Sequence, residues 1–156
     1  AVLVVLISVG TWWWNSQVQT PEDLYATYFT PYPDRLTTLG ATDELVQQAM
    51  GFYNAAQYDS ALVYFKLLNL QSDAPETAEL YLAICQIEAG NQANALKTLE
   101  RLSSSGTALA EAAQWHYVLG LLAANEPEIA IAVLADYRKK WSYQQQKADQ
   151  LWKALH

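Results

Sequence analysis

Residues able to act as nucleophile, base or metal ligand are few in this sequence and stand far apart. There are two histidines, His116 and His156, and one cysteine, Cys85, so His and Cys alone build no zinc site and no disulfide within the chain. Cys85 lies in the run Tyr81-Leu82-Ala83-Ile84-Cys85, with no Lys or Arg within ten positions to stabilise a thiolate, and reads as a small buried hydrophobe. His116 stands between Trp115 and Tyr117 on a helical pattern and reads as a structural residue. Ser103, Ser104 and Ser105 precede Gly106 with no nucleophile-elbow or phosphate-loop pattern around them, which suits an inter-repeat loop. The carboxylate pairs Glu76 with Glu79 and Glu126 with Glu128 suit helix starts, and Arg138-Lys139-Lys140 suits a helix end, since each sign complements the helix dipole there. This reading assigns no catalytic residue, no metal and no cofactor.

Charge narrows the partners further. A formal charge of −7 with only nine Lys and Arg lacks the basic footprint that nucleic acid requires. The balance is uneven: residues 1–96 carry ten acidic side chains against Arg35 and Lys66, whereas residues 97–156 carry six acidic against seven basic. With 52% apolar and 16% charged residues in 156, the chain has enough to bury for one core of ordinary size and not enough length for two.

The elements that would position these side chains begin with the uncharged run from Ala1 to Trp14, which closes on Trp12, Trp13 and Trp14. Tryptophans clustered there mark a membrane interface, and the run reads as the C-terminal part of a transmembrane helix over 1–14. Fourteen helical residues reach only about 21 Å against roughly 30 Å of hydrocarbon, so the span is expected to continue upstream. Between Asn15 and Leu45 stand Glu22, Asp23, Asp34, Asp43 and Glu44 against Arg35 alone. A flank without excess cations faces away from the cytoplasm. The expectation is a single-pass inner-membrane protein whose domain faces outward, into a periplasm if the source is Gram-negative.

Residues 15–41 read as a membrane-proximal short helix followed by an extended linker. Thr20-Pro21-Glu22-Asp23 is a helix start, with a Thr cap, Pro in the first turn and acids against the dipole. Pro31 and Pro33 then force extended backbone. Beyond them, three stretches align: 49–65 (AMGFYNAAQYDSALVYF), 83–99 (AICQIEAGNQANALKTL) and 118–134 (VLGLLAANEPEIAIAVL). Their central alanines, Ala61, Ala95 and Ala130, are 34 and 35 residues apart. Small residues at Ala49 and Ala83 allow close helix approach, Ala56, Gly90 and Asn125 fall at the turns, and Phe65, Leu99 and Leu134 fill the space behind the alanines.

This pattern resembles the tetratricopeptide repeat family, and the tract from Leu24 to Arg35 (LYATYFTPYPDR) is similar to the membrane-proximal tract of bacterial single-pass proteins of that type. The resemblance implies an all-α chain: a right-handed superhelix of three helix-turn-helix repeats, 42–75, 76–110 and 111–144, preceded by the transmembrane helix. Val118 at a small-residue position, Glu79 and Gln114 where Trp or Leu is usual, and Pro75 as the only repeat-end proline make the repeats divergent. A last amphipathic helix within 142–156, with Ala148, Leu151, Trp152 and Leu155 on one face, would cap the stack.

The family's geometry places Val46, Met50, Tyr53, Leu80, Ile84, Ile87, Trp115, Leu119 and Leu122 on the inner groove. The basic clamp that some relatives use for acidic tails is absent from those positions. An apolar groove of this size calls for cover, and the expectation is shared cover: the 21–33 segment near the first repeat and a partner over the rest. The function implied is a non-catalytic, membrane-anchored scaffold for protein–protein interaction, a subunit or assembly factor of a membrane complex whose partners are integral membrane proteins. A peptide- or glycan-binding accessory of an extracytoplasmic enzyme system is the alternative.

Overall fold

The computed structural model describes residues 19–37, 43–71 and 76–156. The span expected over 1–14, Trp12, Trp13, Trp14 and Pro75 lie outside them. Among the described residues there are eight α-helices and no strand, and no helix is long and apolar enough to cross a membrane. The helices are α1 (Pro21–Tyr28), α2 (Glu44–Asn54), α3 (Tyr58–Leu68), α4 (Glu76–Glu88), α5 (Gln92–Ser103), α6 (Ala110–Ala123), α7 (Pro127–Lys140) and α8 (Gln145–Ala154).

Local chemistry sets the boundaries. Thr20 Oγ1 accepts the Asp23 N–H at 3.1 Å while the Asp23 carboxylate accepts the Thr20 N–H at 2.9 Å, a reciprocal capping box that starts α1. Asp43 caps α2 by accepting the Leu45 N–H at 2.8 Å. Pro127 opens α7 in its first turn, where a missing N–H leaves nothing unpaired.

The pairs α2/α3, α4/α5 and α6/α7 are joined by one turn used three times. Ala56, Gly90 and Asn125 are left-handed, with φ of 56°, 77° and 58°. At each, the next residue's N–H reaches back five positions: Gln57 to Phe52 O at 2.9 Å, Asn91 to Gln86 O at 2.7 Å, Glu126 to Leu121 O at 2.9 Å. This is the Schellman closure of a helix C-terminus. Gly90 adopts it freely, whereas alanine and asparagine hold it against the steric preference of L-residues.

From α2 to α8 each helix packs on the next along the chain, and α4 also touches α6. The repeat alanines Ala61, Ala95 and Ala130 are fully buried, as are Phe65, Leu99 and Leu134 behind them. At the small-residue positions Ala49, Ala83 and Val118 are buried too. In the third pair the tight approach falls on Gly120, where an added Cβ would stand 3.0 Å from Leu96 and 3.1 Å from Ile87. Helix α8 folds back on α7 and buries Ala148 and Leu151. Helix α1 leaves sequence order and packs on α6 and α8.

Candidate functional site

The first helix of each pair, α2, α4 and α6, contributes to one inner face, and the nine residues expected to line a partner groove all lie on it. None is more than 5% exposed: Val46, Met50, Tyr53, Leu80, Ile84, Ile87, Trp115, Leu119 and Leu122 are core residues. The second helices cover them from one side and the chain's own 20–37 segment from the other. Leu24 joins the cluster of Trp115, Leu119 and Leu122, while Tyr32 and Leu36 join that of Val46, Met50, Tyr53, Leu80 and Ile84.

The segment crosses the face against the order of the repeats. Helix α1 lies on α6, and the Tyr25 hydroxyl donates to the Glu88 carboxylate at the end of α4. Burial, then that acceptor, push the Tyr25 phenol far above its ordinary range. Phe29 meets His116 of α6 and Tyr58 of α3 edge-on, with ring centroids 6.3 and 6.2 Å apart. Tyr32 lies 5.7 Å from the Tyr81 ring and 6.3 Å from that of Tyr143. Asn54, ending α2, donates to Asp34 at 3.1 Å. Lys147 of α8 donates to Thr30, fixing the segment from the outer side.

Shared cover, with 21–33 near the first repeat and a partner over the rest, therefore does not describe this structure. The eight-residue helix α1 sits on the third pair, and the extended backbone imposed by Pro31 and Pro33 carries Tyr32 to Leu36 across to the first. Length explains the difference: an extended chain gains over 3 Å per residue, so the residues after α1 suffice to cross the remaining face.

Tyr81, which sequence reasoning did not single out, holds the crossing in place. Its hydroxyl donates to Pro33 O at 2.7 Å and accepts the Arg35 N–H at 2.9 Å, satisfying two backbone groups of an extended segment outside any helix. Tyrosine is the one apolar-bodied residue able to do this from a fully buried position, and nothing in its spacing distinguishes it from other core aromatics. Tyr81→Phe is expected to cost about 1–3 kcal/mol, because two backbone partners lose their bond. Hydrogen exchange should quicken at Arg35 and its neighbours while the second helices stay protected.

Of the groups with reactive chemistry, Cys85 and His116 are enclosed. Burial, then the nearby Glu88 charge, push the Cys85 thiol up to about 12, and the residue is fully buried. Burial pushes His116 down to about 3, and neither ring nitrogen has a hydrogen-bond partner among the described residues. Ser103 closes α5 and bonds Glu100 O; Ser105 bonds Leu102 O. Glu79 pairs with Arg101. No group of three or more His, Cys, Asp or Glu among the described residues is arranged to hold a metal ion.

A second arrangement lies at the C-terminal edge, outside the groove. The Arg138 guanidinium is 4.9 Å above the Trp152 ring and its Nε bonds Asp149 at 2.7 Å, while Lys140 Nζ stands 4.4 Å from the Trp141 centroid. Lys139, 77% exposed at its side chain, pairs with Asp136 at 3.4 Å. The Arg138 contact holds the Asp149 carboxyl below its ordinary value. Five of the nine Lys and Arg fall after residue 135, against two of the sixteen Asp and Glu. The cation run was visible in the sequence; its pairing with tryptophans from two different elements was not. Comparison with protein-family models, with curated proteins and with solved structures finds no match.

Proposed function

We propose that this chain is a non-catalytic scaffold of the tetratricopeptide type, anchored in the bacterial inner membrane through its N-terminal segment with its helical domain in the periplasm, where it holds integral membrane proteins of a larger complex. The observation that carries the reading is the recurrence of one Schellman-closed hairpin at Ala56, Gly90 and Asn125, at the period of that family. The apolar run ending in three tryptophans supports the anchor.

Because the inner face is occupied by residues 20–37, the partner contact falls on the outside. The C-terminal edge is suited to it: Arg138 on Trp152 and Lys140 on Trp141, both rings partly exposed, offer charge and aromatic area to an acidic face of a partner. The full chain, extracted from membranes in mild detergent, should co-purify a membrane protein identifiable by mass spectrometry. Lys139→Glu with Lys140→Glu should weaken that association at least about tenfold through lost steering and attraction, with an unchanged melting temperature, since both side chains are exposed. Extraction by carbonate, or the absence of any stoichiometric partner, would defeat the reading.

A further inference from the structure

We infer that two copies of this chain associate about a two-fold axis through the outer face of α3, a proposal independent of the scaffold reading above. Val63, Leu67 and Leu70 are 57%, 46% and 83% exposed, three of the four exposed large hydrophobics among the described residues. They are spaced i, i+4 and i+7, so they form one stripe along the helix and its last turn.

The repeats supply an internal comparison. Counting from Ala61, Ala95 and Ala130, the positions of Val63, Leu67 and Leu70 are held in the second pair by Lys97, Arg101 and Ser104, and in the third by Ala132, Asp136 and Lys139. The same face of the same element is thus charged or small in two pairs and aliphatic in one. Packing within the fold does not account for the difference, since the stripe faces solvent in this pair as well.

The charges beside the stripe name its occupant. Asp59 lies four residues before Val63 and Lys66 three residues after it, and neither has an ion-pair partner among the described residues. When two copies of α3 run antiparallel with Val63 on the axis, Asp59 of each stands beside Lys66 of the other and Ser60 beside Leu67. A two-fold contact must be self-complementary, and this stripe is: small Ala56 and Ser60 at one end, large Leu67 and Leu70 at the other. The stacked rings of Phe52 and Tyr64, 5.2 Å apart, extend the apolar area to one side.

Oxidative cross-linking of the full chain tests this. Val63→Cys places thiols at the axis, where helices in contact bring equivalent side chains within disulfide reach; Cys85 is fully buried and does not compete. The expected product is a dimer of twice the chain mass, absent for the control Ile129→Cys, which is also exposed but lies on α7. Lys66→Asp added to Val63→Cys should cut the yield about tenfold, two attractions having become repulsions, and Asp59→Lys with Lys66→Asp should restore it. Each altered residue is at the surface, and circular dichroism confirms that the helices remain. A yield no higher than the Ile129→Cys control, an adduct of a different mass, or insensitivity to the charge exchange would overturn the proposal.

Discussion

The full chain carrying Leu119→Asp is expected to lose its cooperative thermal transition, while Ile129→Asp on the neighbouring helix melts as the parent does. Leu119 is fully buried on α6, in the cluster that Leu24 of α1 completes. Loss of the leucine side chain alone costs about 3–5 kcal/mol at a site of this kind, and a carboxyl group there adds a desolvation cost of several kcal/mol, charged or protonated. Together these approach or exceed the roughly 5–15 kcal/mol that holds an ordinary domain folded. Ile129 is 48% exposed on α7, and its replacement falls within about 0.5 kcal/mol. Leu24→Ala, acting from the covering side, should cost about 2–5 kcal/mol. Its effect and that of Leu119→Ala should be less than additive, because each removes part of the same contact. A melting temperature unmoved by Leu119→Asp would mean that α1 does not cover α6, and that the inner face is open to a partner after all.

Much of the helical layout was legible because its determinants are local. Alanines at Ala61, Ala95 and Ala130 recur with turn residues five positions before each, and the helix starts carry their signals in sequence, a capping Thr20 and a first-turn Pro127. The nine residues that the family's geometry placed on a groove are apolar in the sequence and buried in the structure. Their occupant was not legible, since it depends on which part of a distant segment reaches which pair. Tyr81 fixes that segment through backbone groups of Pro33 and Arg35, a contact that side-chain patterns do not encode. The α3 stripe was present in the sequence as Val63, Leu67 and Leu70, yet it becomes a signal only once exposure separates it from the buried Ala61, Phe65 and Leu68 on the same helix.

One group sets a pH dependence of its own on the covered face. Unfolded, His116 has a pKa near 6.5; in the folded chain burial pushes it down to about 3. Above about pH 6.5 both states hold a neutral ring and the residue adds no pH dependence. Below it the unfolded chain takes up a proton that the folded chain refuses, so stability falls as pH falls, by about 1.4 kcal/mol per unit until the folded value is reached. By pH 4.5 the loss is about 3 kcal/mol. The carboxylates held low in the fold act over a lower range. Asp23 is lowered by Thr20; Asp34 is raised by burial but lowered further by Thr37 and Asn54; Asp149 is lowered by Arg138. All three contribute stability above their unfolded value near 3.9, lost only as pH drops through their folded values. The interval from 6.5 to 4.5 therefore belongs largely to His116, and His116→Leu should flatten it. The leucine is close in volume, and neither ring nitrogen gives up a hydrogen bond to a described residue. The variant should thus match the parent or exceed it at pH 7. Urea denaturation at pH 7, 5.5 and 4.5 measures both chains. Parallel curves for the two would show that His116 takes up its proton within the fold, which it can do only if Phe29 and the segment that carries it stand away from α6.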